Sequence, residues 1–212
     1  MKAFWIAALL VPLTLAAAEK VVPIGQFSRG DLSGWEEKQF SGETDYRFFR
    51  INNHTSLRAR SNAAASGRYK EVDVDLNTTP VLHWTWKVDN LLDGVNEQTK
   101  AGDDYPARVY VVFSGGLFFW RTRAINYVWS SNQPDGTTWP NAFTDNARMI
   151  AVQSGAGQLG QWVSEQRNVA EDYRQLFGEE PGNVDAVAIM TDTDNSGQRA
   201  SAWYGDIWFA AE

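Results

Sequence analysis

The sequence predicts an all-β protein, an antiparallel sandwich or barrel carrying one short α-helix, and three observations predict it. From Val21 onward, segments rich in β-branched and aromatic residues recur at a spacing of roughly ten residues and are divided by turn residues. Two of these segments alternate strictly between apolar and polar side chains, which requires one dry face and one wet face. A single stretch, Asn168 to Gly178, breaks the pattern with apolar residues at helical spacing.

Taken in chain order, Arg47 to Ile51 and Ser56 to Ser61 are the first strand candidates. Lys70 to Leu76 sets Val72, Val74 and Leu76 against Glu71, Asp73 and Asp75. Val81 to Val88 repeats the device, with Leu82, Trp84, Trp86 and Val88 opposite His83, Thr85 and Lys87. Val109 to Phe113 is a continuous apolar run, the signature of a central strand covered on both sides. Ala124 to Trp129, Met149 to Gln153, Gln161 to Glu165, Val184 to Thr191 and Ala200 to Phe209 complete the set. The helix reads from Val169 to Phe177, against the edge or end of the sheets. Asn168 and Glu171 form a capping box, Val169, Tyr173, Leu176 and Phe177 share a face, and Gly178 with Pro181 supplies the stop. Ser130 to Asn146 is the longest irregular stretch, of the kind used as a lid or binding loop.

Composition bounds the compartment and the partners. Met1 to Ala18 has one charge at Lys2, an apolar run from Ala3 to Leu15 and Ala16-Ala-Ala18 before Glu19, which reads as a cleavable signal peptide. The mature chain, residues 19–212, is one domain's length. It holds no second apolar run of spanning length, so no transmembrane segment is expected after cleavage, and a periplasmic or secreted protein follows. With no cysteine, neither disulfides nor a lipid anchor on cysteine is available. A net charge of −7 without a Lys/Arg cluster argues against nucleic acid.

Candidate site residues fall in four places. Thr191 to Gly197 sets Asp192, Asp194 and Ser196 at alternate positions before Gly197, repeating the first half of a calcium-binding loop. The residue eleven after Asp192 is Trp203 rather than a bidentate Glu, so the stretch is either a calcium loop of another kind or a polar turn. Asp103, Asp104 and Arg108 stand at the mouth of the Val109 strand. An arginine there requires an acidic partner, and the set is either a structural ion pair or a ligand or metal site. Glu165 and Arg167 share one face of an extended segment, and Arg167, badly placed for the helix dipole, calls for a carboxylate elsewhere.

Ten tryptophans form the fourth group. Trp84, Trp86, Trp203 and Trp208 fall in strand patterns and read as core or sheet-face residues. Trp120, Trp129 and Trp139 lie near or within the long loop, where an aromatic ring either stacks on a sugar or anchors the loop. Familiar catalytic arrangements are missing: there is no cysteine nucleophile, no Gly-x-Ser-x-Gly elbow and no phosphate loop, and His54 and His83 are the only histidines. If the chain is an enzyme, Asp103 and Asp104 with Glu165 or Asp192 must supply the carboxylates.

Together LHWTWKV (82–88), GDDYPARVYVVF (102–113), NYVWS (126–130), RNVAEDY (167–173) and AIMTDTDNSG (188–197) resemble the bacterial domain-of-unknown-function family 3047 over nearly the whole mature chain. That resemblance implies an exported single-domain protein and carries no activity. More loosely, FSRGDLSGW (27–35), the Ser56 to Ser61 strand and the closing YGDIWF (204–209) are similar to jelly-roll carbohydrate-binding modules, which would place a structural calcium at Asp206. The combined expectation is an antiparallel β-sandwich of jelly-roll type. It would bind a glycan or similar small polar ligand without catalysis, through Asp103, Asp104 and Arg108 with Tyr127 and Trp129 beside them, Trp139, Glu165 and Arg167. Calcium at Asp192, Asp194 and Ser196 is the one cofactor expected. A carboxylate-dependent glycan hydrolase or lyase and an envelope protein-interaction domain are the alternatives.

Overall fold

Alternation decides the layers. In a computed structural model that describes residues 20–116 and 121–212, thirteen strands form two facing sheets with the apolar half of each strand between them. Met1 to Ala18, expected to be a signal peptide, and Trp120 lie outside the described residues. The six-stranded sheet holds β1 (Val22–Gly25), β3 (Asp45–Ile51), β4 (His54–Asn62), β6 (Val81–Val88), β11 (Val163–Asn168) and β13 (Arg199–Ala210), in the order β11-β6-β13-β4-β3 with β1 also on β13. The seven-stranded sheet holds β2 (Trp35–Ser41), β5 (Ala65–Val74), β7 (Ala107–Phe113), β8 (Arg123–Ser130), β9 (Thr138–Pro140), β10 (Ala147–Ser154) and β12 (Val184–Asp192), in the order β2-β5-β12-β7-β8-β10-β9. Every pairing is antiparallel except β8 with β10. The chain passes repeatedly from one sheet to the other, giving an antiparallel β-sandwich of jelly-roll type.

The core is where the two dry faces meet. Leu82, Trp84, Trp86 and Val88 of β6 face Val109 and Val111 of β7 and Ile125, Tyr127 and Trp129 of β8. Aromatic rings fill the centre, Trp84 lying 5.3 Å from Tyr127 and Trp86 5.9 Å from Trp129, and such contacts supplement the burial of their area. β7 is central, between β12 and β8, yet it is not covered evenly: Tyr110 and Val112 are half-buried on its outer face.

Helix α1 (Val169–Phe177) has the expected bounds. The Asn168 side chain accepts the Glu171 backbone N–H at 3.1 Å, and Gly178 closes the helix at φ 73°, a conformation that favours glycine. It packs Tyr173 against Phe113 with ring centroids 4.5 Å apart. Three strands escape an alternation search, the four-residue β1 among them. β2 is a largely exposed edge strand with a polar sequence, and β9 is three residues long within the stretch read as irregular. β5 begins five residues before its alternating part, and β11 starts at Val163 and runs directly into α1. Among the described residues no helix is long and apolar enough to cross a membrane.

Candidate functional site

Acidic residues converge first at one end of the seven-stranded sheet. Arg108, on the outer face of β7, is gripped by Asp192 of β12, with Nε donating to Oδ1 at 2.9 Å and Nη2 donating to Oδ2. Asp103 is a weaker second partner, its carboxylate 3.8 Å from Nη1 and its backbone carbonyl accepting Nη2 at 3.3 Å. Asp104 accepts the backbone N–H groups of Asn195 and Ser196, at 3.2 and 2.6 Å, which ties the 191–197 turn to the strand mouth. Burial pushes the Asp192 carboxyl up to about 7; Arg108 pulls against this, and Asp104 and Asp103 push the same way as burial.

Asp104, Asp192 and Asp194 offer oxygens within 4.8 Å of one another, the spacing of a cation site. The donor set is already largely engaged. Arg108 holds both oxygens of Asp192, backbone amides hold both of Asp104, and Asp194 accepts only Asn195 Nδ2 at 3.2 Å. The Ser196 hydroxyl accepts the Gln198 backbone N–H at 3.4 Å. Asp103, Asp104 and Arg108 are each less than a tenth exposed, so the cluster presents almost no surface to a ligand.

The remaining expected residues lie elsewhere. Tyr127 and Trp129 occupy the inner face of β8, on the opposite side of the sheet from Arg108. The Tyr127 hydroxyl donates to Asp172 Oδ2 at 2.8 Å, and Arg167 Nε donates to the same oxygen at 3.0 Å. The carboxylate that Arg167 needs is therefore in the first turn of α1 itself, where Asp172 points back toward β11. Trp129 is fully buried, with Nε1 donating to the Gly155 carbonyl at 3.3 Å. Trp139 is buried beside Tyr105, Val128 and Met149, and anchors its loop over the outer face of the sheet. Glu165, on β11 of the other sheet, accepts Trp86 Nε1 at 3.2 Å; burial raises its carboxyl above the usual range. Of these five expected residues, Tyr127 and Arg167 meet at Asp172, while Trp139 lies on the other face of the seven-stranded sheet.

An open groove lies on the outer face of the six-stranded sheet. Its volume is about 610 Å³, and it runs across β6, β13 and β4. Trp162, half exposed, stands at one margin; Trp203 and Trp208 project from β13, and Lys87, Thr85 and His54 stand among them. Trp208 is stacked on His83, 5.1 Å between centroids and 3° from parallel, so its ring is fixed in orientation. Lys87 Nζ lies 4.5 Å from the Trp203 ring and 6.0 Å from that of Trp162. Asp206 is the one carboxylate among the described lining residues, and it accepts the Ser28 backbone N–H at 2.7 Å and the Ser28 hydroxyl at 2.6 Å.

A β-bulge builds this face. Along β13 the pairing to β6 runs Trp203↔Lys87 and Tyr204↔Trp86, then resumes at Ile207↔Trp84 and Trp208↔His83. Gly205 and Asp206 together oppose the single residue Thr85, which is the geometry of a bulge. Trp203 and Trp208 are thereby both directed outward although their positions differ by an odd number, five, while Tyr204, Ile207 and Phe209 stay in the core. A Cβ at position 205 would lie 2.0 Å from Thr85 Oγ1, so only glycine fits without rearrangement. The visible signal was a glycine inside a strand pattern flanked by tryptophans at that spacing.

The family described as protein of unknown function (DUF3047) matches residues 33–208. Among curated proteins no sequence matches. Among solved structures, the chain is similar to the family 11 carbohydrate-binding module of a cellulosomal cellulase of Clostridium thermocellum, at 8% identity and a TM-score of 0.45, covering 92% of this chain and 95% of that one. It is similar also to a xylan-binding domain from Paenibacillus barcinonensis, at 14% identity and a TM-score of 0.44, covering 93% and 99%. A cellulose-induced protein matches at 10% identity and a TM-score of 0.46, over 86% of this chain and 93% of that one.

Proposed function

The chain belongs to the DUF3047 family, and we propose that this member is an exported, non-catalytic module that holds a glycan across the outer face of its six-stranded sheet. The observation that carries the reading is the groove with Trp162 and Trp208 on its walls and Trp203, 7% exposed, beneath them. A sugar ring offers an apolar face and a rim of hydroxyls. Flat aromatic surface beside Lys87, Thr85 and His54 meets both requirements at once. In this reading Trp162 and Trp208 take the role expected of Trp129 and Trp139, and the Asp103, Asp104, Arg108 and Asp192 cluster holds the strand ends together.

The absence of catalysis rests on the groove's acids. Hydrolysis of a glycosidic bond by the common retaining or inverting routes uses two carboxylates flanking the bond. Asp206 is the single described carboxylate on the lining and is occupied by Ser28 at both oxygens.

Affinity electrophoresis of the mature protein against a panel of soluble polysaccharides tests the proposal. Retardation by at least one polymer is expected, without release of reducing ends, and Trp162→Ala should abolish it while the melting temperature stays put. Retardation that survives Trp162→Ala and Trp208→Ala would remove the groove from consideration, and steady release of reducing ends would replace the module with an enzyme.

A further inference from the structure

Resting on the glycan-binding reading, we propose that the glycan taken by this groove is anionic, a chain bearing carboxylates on its sugar rings. The protein as a whole carries −7, which repels polyanions, yet the outer face of the six-stranded sheet is basic. Cross-strand register sets Lys87 of β6 opposite Trp203 of β13, Trp203 opposite Arg58 of β4, and Arg58 opposite Arg47 of β3. One row across four strands thus holds three cations around a tryptophan. Arginines directly opposite each other on a sheet are unfavourable unless an anion lies between or above them.

The cations of this row are poorly neutralised from within the chain. Arg58 lies 3.8 Å from the Phe49 ring centroid and 5.6 Å from that of Trp203, and no carboxylate of the described residues lies within 4.0 Å of it. Aromatic faces fix its position and leave its charge intact. Lys87 is 3.7 Å from Asp89 Oδ1, a long contact, because the other oxygen of Asp89 is held by the Ser201 hydroxyl and Trp203 Nε1, each at 2.8 Å. Arg47 alone in the row has a close carboxylate, Asp45 at 2.6 Å, and both side chains are well exposed. Groove and row share Lys87 and Trp203, so a uronate ring lying against Trp208 and Trp162 would bring its carboxylate toward Lys87, with the charge of Arg58 next in the row beyond Trp203.

Polygalacturonate, alginate and hyaluronan are the anionic probes; methyl-esterified polygalacturonate, dextran and mixed-linkage β-glucan are the neutral ones. Titration calorimetry on the mature protein is expected to show at least one polyuronate binding roughly tenfold or more tighter than every neutral polymer, with that advantage shrinking as salt rises from about 0.05 to about 0.5 M. Lys87→Ala and Arg58→Ala should each remove most of the advantage while leaving circular dichroism and melting unchanged. Neutral polymers bound as tightly as polyuronates, with Trp162→Ala still weakening both, would overturn the anionic inference and leave the glycan module standing. No binding by any of the six would overturn both.

Discussion

Two regions of this molecule are built from the same residue types and do opposite things. At the end of the seven-stranded sheet, Arg108 is enclosed by Asp192 and Asp103 beside the rings of Tyr105 and Tyr110, and the assembly is sealed from solvent. On the outer face of the six-stranded sheet, Arg58 and Lys87 lie on Phe49 and Trp203 and face outward, with weak carboxylate partners or none. A buried cation must find its anion within the chain, because leaving it unpaired costs several kcal/mol. A cation at the surface is under no such demand, and its missing partner is available to be supplied by a ligand. Charge and aromatic content therefore do not mark a binding site; the direction in which the pairing is incomplete does.

The comparison breaks most sharply at Arg108. Arg108→Met strands two buried carboxylates, and a loss of about 3–5 kcal/mol in denaturant unfolding is expected, with glycan binding by the remaining folded protein unchanged. Arg58→Met on the other face should leave unfolding within about 0.5 kcal/mol of wild type. If the two variants lose equal stability, the distinction between sealed and open regions fails.

Proton linkage sharpens the sealed side. In the fold the Asp192 carboxyl titrates at about 7, above its ordinary 3.8, chiefly through burial. As pH rises the unfolded chain gives up this proton first, so the stability it contributes is complete below about pH 3.8 and is lost as pH climbs through about 7. Asp192→Asn should flatten the pH dependence of unfolding across that window by up to about 4 kcal/mol. An unchanged slope would show that Asp192 is ionised throughout. Next in size, Trp208→Ala is expected to weaken glycan binding roughly tenfold, about 1.4 kcal/mol, and calorimetry on wild type and variant reads this directly. Calcium gives the smallest effect. With Arg108 already on Asp192 and backbone amides on Asp104, adding calcium to chelated protein should raise the melting temperature by less than about 1 °C. A rise of several degrees would put a cation among Asp104, Asp192 and Asp194 after all.

What could be read from the chain follows the range of the interaction that decides it. The helix bounds were legible because cap and stop are local, Asn168 to Glu171 at one end and Gly178 at the other. β6 was legible because one face is wholly buried and the other is not. Edge strand β2 was not, since Trp35 to Ser41 buries little and its sequence carries almost no alternation. At the sealed cluster, the need of Arg108 for an acid was evident, but the acid that grips it lies 84 positions away, nearer candidates being present at 103 and 104. Trp129 and Trp139 looked loop-borne, and the strand register of β8 and β9 put them inside. Trp203 and Trp208 looked like ordinary strand tryptophans, because the displacement that turns both outward belongs to the pairing with β6 rather than to β13 alone.

A strand keeps its two sides apart by counting in twos, and the extra residue opposite Thr85 resets that count once. Were β13 to pair straight through, with Gly205 opposite Thr85 and Asp206 opposite Trp84, that reset would be lost. Trp208 would then turn into the sandwich while Ile207 and Phe209 emerged, exchanging lining for filling over the last third of β13. Groove face and interior are thus two phases of one strand, held in step by a single hydrogen where any other residue would carry carbon.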